Sequence, residues 1–187
     1  IENDPYQNRY MEDALVAVLD PKTGDVMGLS GAHYDREEKE YLDQAYRVIY
    51  DSHIPGSVIK GATILTGYDT GVISPGTVIN DRPIRIAGTP TKRSWKVMGP
   101  INDQTAIIQS SNVYMFEIAM RISGAQYREN EPLRGFNQES FQVMRNYFNQ
   151  FGLGVKTGID LPYEATGVVG ENIEEGGLLL DFAIGQF

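Results

Sequence analysis

Short apolar runs separated by turns, followed by longer segments with helical periodicity, predict a fold that mixes strands and helices. Apolar runs at 14–19 and 26–29 flank an Asp-Pro-Lys-Thr-Gly turn, which predicts a β-hairpin. Residues 77–86 predict a further hairpin arm. Helical patterns cover four segments, namely residues 57–68, 105–109, 113–122 and 138–151. The abundance of Gly and Tyr favours a loop-rich domain over a helical bundle.

The same pattern also predicts which side chains are buried. The first helix is expected to bury four apolar residues, Val58, Ala62, Ile64 and Leu65. Gly67 and Gly71 are expected to end it. The charged run at 34–43 predicts a solvated loop or the start of a helix on the surface. Residues 1–13 are polar and aromatic, and we expect them to lead in from an upstream region.

Composition narrows the possible functions. The 187 residues are enough for one domain with a substantial core, and the net charge of −9 makes nucleic acid an unfavourable partner. The absence of cysteine excludes disulfides and thiolate metal sites. No apolar run is long enough to cross a membrane, and no signal peptide is evident. The chain begins at Ile1 without an initiator Met, so we expect it to start within a longer protein.

The segment Pro55-Gly56-Ser57-Val58-Ile59-Lys60 predicts a turn that opens a helix. Positions i and i+3 of a helix share one face, so the Ser57 hydroxyl and the Lys60 amine are expected side by side. A serine needs a base to become a good nucleophile, and a lysine with a lowered pKa can be that base. The alternative is a serine that caps the helix, with an ordinary surface lysine.

A second polar segment, Ser110-Ser111-Asn112, directly precedes an apolar helix. Ser110 could relay a proton between Lys60 and a leaving group, and Asn112 could hold Lys60 and bind a substrate amide. The alternative is that Ser111 or Asn112 caps the helix, as Ser and Asn commonly do. His33 and His53 are too few and too isolated to predict a metal site.

Together these segments resemble the penicillin-binding proteins, specifically the transpeptidase domain of the class B type from Gram-positive bacteria. The resemblance covers nearly the whole chain and rests on five segments, residues 17–27, 55–68, 110–116, 151–162 and 184–186. It implies that residues 14–187 are the N-terminal part of such a domain. It also implies the α+β fold of the penicillin-recognising serine enzymes, with a central antiparallel sheet flanked by helices.

The resemblance assigns roles to six residues. It implies Ser57 as the nucleophile, Lys60 as the general base, and Ser110 with Asn112 as the proton relay and substrate contact. Ser111 and Trp95 are expected to contact substrate, and Trp95 falls with Thr91 and Ser94 in a loop near the cleft. The alternative for Trp95 is ordinary packing. The implied reaction is peptidoglycan cross-linking, in which the serine attacks a D-alanine carbonyl of a stem peptide. β-Lactams would acylate the same serine, and no metal or organic cofactor is implied.

The family's third motif, Lys-Thr-Gly on an inner strand, is expected beyond Phe187, which would leave the sheet incomplete. Two Lys-Thr-Gly triplets within the chain do not fit this third motif. Lys22-Thr23-Gly24 is typical of a hairpin turn, and Lys156-Thr157-Gly158 precedes a loop that lies elsewhere in the family's domain. The resemblance also implies a membrane-anchored parent protein on the extracytoplasmic face, working with other cell-wall synthesis proteins.

Two other functions stay open from the sequence. A serine β-lactamase or β-lactam sensor domain shares the serine-lysine chemistry and differs in how long the acyl-enzyme lasts. The long segment between Gly67 and Thr105 favours the transpeptidase, by resemblance. The other alternative is a catalytically silent scaffold that keeps the motifs without the reaction.

Overall fold

The computed structural model divides into two units, and the first contains a sheet of three antiparallel strands. The structure describes residues 11–171 and 173–187. The first unit comprises the described residues up to Ser52, together with Gly158–Ala165. Its elements are β1 (Asp13–Leu19), β2 (Val26–Asp35), β3 (Glu40–Asp43) and the short helix α1 (Arg47–Tyr50). The hairpin predicted from the first two apolar runs is confirmed, whereas most of the predicted lead-in over 1–13 lies outside the described residues.

The turn between β1 and β2 contains the first Lys-Thr-Gly triplet. Asp20 Oδ1 accepts the N–H of Lys22 at 2.7 Å, and Thr23 Oγ1 accepts the N–H of Asp25 at 3.2 Å. Gly24 has a φ of +81°, which suits glycine. These local bonds confirm that the triplet is a hairpin turn.

The charged run at 34–43 forms a second hairpin, so the predicted exposed loop is confirmed only for the turn at 36–39 and the alternative of a helix start is wrong. β2 continues to Asp35 and β3 begins at Glu40, with Tyr34 paired to Tyr41 across the strands. The rings of these two tyrosines lie 5.0 Å apart. Cross-strand aromatic pairing stabilises the hairpin, which a count of charged residues does not reveal.

The second unit contains the described residues of 53–157 and 166–187. A 3-10 turn (Gly56–Ile59) leads into its first helix, and two strands pair antiparallel. Its further elements are α2 (Lys60–Asp69), β4 (Val78–Asp81), β5 (Gly99–Asn102), α3 (Asp103–Ile108), α4 (Asn112–Ser123), α5 (Glu139–Asn149) and α6 (Gly176–Phe182). Most of α4 is buried, and α2, α5 and α6 pack against it. The helices predicted over 105–109, 113–122 and 138–151 are confirmed as α3, α4 and α5, with ends shifted by one or two residues.

The buried face of α2 differs from the predicted one. Ala62 and Ile64 are buried as expected, but Val58 is 87% exposed and Leu65 is 50% exposed. Val58 lies in the 3-10 turn, where the helical spacing does not apply. Two threonines, Thr63 and Thr66, are fully buried instead.

Gly67 and the hairpin arm at 77–86 also depart from prediction. Gly67 lies inside α2, where a Cβ would come within 2.9 Å of Ile73 Cγ1, so it permits close packing rather than ending the helix. Gly71 follows the helix with a φ of +74°, as predicted. β4 pairs with β5 eighteen or more residues later rather than in a tight hairpin.

In the described chain, no helix is long and apolar enough to span a bilayer.

Candidate active site

Ser57 and Lys60 lie where the 3-10 turn meets α2. The Ser57 side chain is exposed, whereas Lys60 is only 3% exposed. The backbone N–H of Lys60 donates to the carbonyl of Ser57, which closes the turn. The serine therefore faces solvent while the amine lies below it in the protein.

Three oxygen atoms surround the Lys60 amine. Nζ donates to Ser110 O and to Ser110 Oγ, both at 2.9 Å, and to Asn112 Oδ1 at 2.6 Å. An ammonium group has three N–H donors, so the charged form is fully hydrogen-bonded. Ser110 and Asn112, predicted as neighbours of Lys60, are both brought to it.

Ser110 lies between the serine and the lysine. Its Oγ lies 3.2 Å from Ser57 Oγ and 2.9 Å from Lys60 Nζ. Among the described residues, no hydrogen bond joins the Ser57 hydroxyl directly to the Lys60 amine, so the two side chains are linked by way of Ser110. The φ of Ser110 is +52°, an uncommon conformation for a residue other than glycine, and it turns both oxygens of Ser110 towards the amine.

Burial changes the proton affinity of Lys60. Removal of the amine from water lowers the pKa of Lys60 from 10.5 to about 8. At pH 7 about one tenth of the amines are then neutral, far more than for a solvated lysine. A neutral amine can accept a proton that reaches it through Ser110 Oγ.

Ser111 caps a helix, so its expected contact with substrate is not supported. Its side chain has no exposed surface. Its Oγ accepts the N–H of Tyr114 at 3.0 Å and donates to Asp81 Oδ2 at 2.6 Å. The hydroxyl thus both donates and accepts a hydrogen bond within the protein, which agrees with the alternative that Ser111 caps α4.

Sequence reasoning missed Asp81 and the contacts of Ser94. Asp81 is 1% exposed, and its Oδ2 also accepts a hydrogen bond from Ser94 Oγ at 2.6 Å. Ser94 Oγ in turn accepts the N–H groups of Asn112 at 2.9 Å and Val113 at 3.2 Å. These partners are 13 to 30 residues apart in the chain, so no local motif indicates them.

Trp95 lies on the surface and is fixed by its indole nitrogen. The side chain is 70% exposed, which excludes ordinary core packing. Nε1 donates to the carbonyl of Gln109 at 2.9 Å, directly before Ser110 in the chain. Its contact with substrate stays a prediction, although an exposed ring beside Gln109 is compatible with it.

The segment after α6 supports the turn that carries Ser57. The N–H of Gly56 donates to the carbonyl of Gly185 at 2.9 Å. A Cβ on Gly185 would lie only 2.4 Å from Gly56 O, so a larger residue would displace the turn. Thr63 Oγ1 donates to the carbonyl of Ala183 at 2.8 Å and fastens the same segment to α2.

Within the described residues, no cluster of three or more His, Cys, Asp or Glu could hold a metal ion.

Comparison with known proteins agrees with this geometry. Residues 14–186 match the family described as "Penicillin binding protein transpeptidase domain". Penicillin-binding protein 2A of Bacillus subtilis (strain 168) is 43% identical over 180 residues, covering 95% of this chain and 25% of that protein. Peptidoglycan D,D-transpeptidase MrdA of Acinetobacter baumannii is 29% identical over 175 residues, covering 83% of this chain and 23% of that protein.

A solved structure gives the same result for the fold. Penicillin-binding protein 2B from Streptococcus pneumoniae (strain 5204) superposes with a TM-score of 0.89 at 34% identity, covering 96% of this chain and 30% of that one. The predicted α+β fold is confirmed. The chain spans about a quarter of the length of the curated relatives it matches. By fold, and by a family match from residue 14 to residue 186, the chain belongs to the penicillin-binding protein transpeptidase domain family.

Proposed function

We propose that this chain carries the acylating serine site of a peptidoglycan D,D-transpeptidase. The observation that carries the proposal is a buried Lys60 amine connected through Ser110 to the exposed Ser57. This is the arrangement that a serine nucleophile with a lysine base requires. Membership of a transpeptidase family and the name of the relative MrdA support the reaction class and its peptidoglycan substrate.

The proposed reaction has two acyl transfers. Ser57 Oγ attacks the carbonyl of the penultimate D-alanine of a stem peptide, and its proton passes through Ser110 to neutral Lys60. The peptide bond to the terminal D-alanine breaks, and the leaving amine takes the proton back along the same path. An amine of a neighbouring stem peptide then attacks the ester, which forms the cross-link and restores the Ser57 hydroxyl.

Other groups in the site would hold the substrate. Backbone N–H groups at the start of a helix point outward and can stabilise an oxyanion next to Ser57. Asn112 holds the lysine with Oδ1, and its Nδ2 donates to the carbonyl of Arg93 at 3.1 Å. We infer that Asn112 positions Lys60 first and contacts a substrate amide only by exchanging this second bond. The exposed ring of Trp95 is the proposed apolar contact.

The substrate also suggests where the protein works. Stem peptides of peptidoglycan lie outside the cell membrane, so we propose an extracytoplasmic site in a membrane-anchored protein. Other proteins of cell-wall synthesis are its proposed partners. β-Lactams are proposed ligands of the same serine, because their strained amide is opened by the same attack.

The intact mass of the full-length protein after exposure to benzylpenicillin tests the function. We expect a stable adduct of one benzylpenicillin, mapped by peptide digestion to the segment with Ser57, and none on Ser57→Ala. Consumption of the antibiotic without an adduct would indicate a β-lactamase instead. An unmodified protein with the antibiotic intact would overturn the proposal and favour the silent scaffold.

The acylation rate should rise with pH until Lys60 is neutral. Its lowered pKa of about 8 places the midpoint there, because the ammonium form has no electron pair to accept the Ser57 proton. Below that midpoint the rate should fall about tenfold per pH unit. A fluorescent penicillin, followed from pH 5.5 to 9.5, measures this, with Ser57→Ala correcting for spontaneous hydrolysis. A flat profile between pH 6 and pH 9 would exclude Lys60 as the titrating base.

A further inference from the structure

One oxygen of Asp81 joins two segments of the active site. Oδ2 accepts hydrogen bonds from Ser94 Oγ and Ser111 Oγ, both at 2.6 Å. All three residues are buried, with 1%, 5% and 0% exposure respectively. Asp81 ends β4, so the carboxylate is held by a strand rather than by a loop.

The two hydroxyls depend on this carboxylate for their orientation. Ser111 Oγ accepts the N–H of Tyr114, and Ser94 Oγ accepts the N–H groups of Asn112 and Val113. A hydroxyl that accepts these bonds has one proton left to donate, and it needs a buried acceptor for it. The hydroxyls are 3.4 Å apart, and Asp81 supplies a common acceptor for both.

The start of α4 therefore has two serine caps, one local and one from a distant segment. Capping satisfies N–H groups that lack partners inside the helix, and a nearby carboxylate adds favourable charge at that end. Asn112 is the first residue of α4, and its Oδ1 holds Lys60 Nζ at 2.6 Å. A shift of this helix end would move Asn112 and Ser110 away from the lysine.

The same carboxylate also fixes the segment before Trp95. Ser94 is tied to Asp81, while the neighbouring carbonyl of Arg93 accepts from Asn112 Nδ2. On the other side Trp95 Nε1 donates to the carbonyl of Gln109. Residues 93–95 and 109–112 thus form a connected pair of segments, and Asp81 bonds to a serine in each.

We propose that Asp81 is a positioning residue for acylation, acting through Ser94 and Ser111 to hold Asn112 and Ser110 against Lys60. The inference rests on the proposed function for its kinetic part and on the geometry of residues 81, 94 and 111 for the rest. Asp81 does not touch the reacting atoms, so its removal should slow the chemical step rather than weaken noncovalent binding. Displacement of catalytic groups by about 1 Å can cost about 100-fold in rate.

Asp103 supplies a matched control. It is likewise buried, at 5% exposure, and accepts hydrogen bonds from the Tyr68 hydroxyl and the N–H of Gly76. It starts α3 instead of α4, and none of the hydrogen bonds that it makes within the described part of the chain goes to Lys60, Ser110 or Asn112. Asp81→Ala and Asp103→Ala therefore both remove a buried carboxylate, but only Asp81 bonds to the serines that cap α4.

Stopped-flow acylation of the full-length protein by a chromogenic β-lactam separates the acylation rate constant from the noncovalent dissociation constant. We expect Asp81→Ala to lower the rate constant about 100-fold with the dissociation constant within about threefold. Asp81→Asn keeps an acceptor oxygen and should recover the rate to within about tenfold of wild type. Asp103→Ala should lower the melting temperature without changing the rate constant. An Asp81→Ala rate constant equal to that of Asp103→Ala would overturn the proposal.

Two further measurements test how Asp81 acts. Ser94→Ala should slow acylation in the wild type and have little additional effect in Asp81→Ala, because coupled residues are not additive. Paired crystal structures of the wild type and Asp81→Ala should show a longer Lys60 Nζ to Asn112 Oδ1 distance in the variant. Failure of the wild type to acylate would overturn the proposed function, and this distance would still decide the role of Asp81. An unchanged distance would overturn that role.

Discussion

Lys60→Met should lower the acylation rate constant by about 10²- to 10⁴-fold while leaving a folded protein. Methionine keeps an unbranched side chain of similar length but removes the amine that accepts the Ser57 proton. Stopped-flow acylation by a chromogenic β-lactam measures the loss, and thermal unfolding confirms the fold. Lys22→Met, in the exposed β1–β2 turn, is the matched control and should acylate at the wild-type rate.

Lys60→Arg distinguishes a base from a mere positive charge. Arginine retains the charge and the hydrogen bonding, but a guanidinium does not deprotonate in proteins. We therefore expect this variant to be as slow as Lys60→Met and to gain nothing as the pH is raised from 7 to 9. A rate within tenfold of wild type in either variant would mean that another group accepts the proton.

The chemistry of this site could be predicted from short segments because it is local in the chain. Ser57 and Lys60 are three residues apart, and Ser110 and Asn112 are two apart, so each pair is placed by one turn of backbone. The positive φ of Ser110 was not predictable, because only the folded structure requires that residue to direct two oxygens at Lys60. The sequence predicted that the Ser57 hydroxyl and the Lys60 amine lie side by side, and the structure links them through Ser110.

Longer-range partners could not be predicted from one sequence. Asp81 lies 30 residues from Ser111, and nothing around it distinguishes a buried carboxylate from one in an exposed turn. The prediction of which α2 residues are buried was wrong for a related reason. Thr63 and Thr66 are buried because their hydroxyls donate to the carbonyls of Ala183 and Ala62, and a hydrophobicity pattern does not count such bonds.

Gly185→Ala is expected to lower the acylation rate constant at least 100-fold and to destabilise the fold by more than about 2 kcal/mol. The new Cβ would lie 2.4 Å from Gly56 O and 2.8 Å from Gly56 N, and both are backbone atoms. Gly56 adjoins Ser57, so relief of the clash must move the turn that carries the nucleophile. Chemical denaturation measures the loss in stability, and stopped-flow acylation measures the loss in rate.

Gly71→Ala separates displacement of the turn from backbone strain. Gly71 has a φ of +74°, close to the +72° of Gly185, but a Cβ there meets nothing within 4 Å. Both variants bear the cost of a left-handed alanine, about 1–2 kcal/mol. Only Gly185→Ala adds the contact with Gly56, so the difference between the two variants isolates that contact. Equal stability and equal acylation rates would mean that the 183–185 segment does not position Ser57, and the catalytic turn would then owe its geometry to residues 55–60 alone.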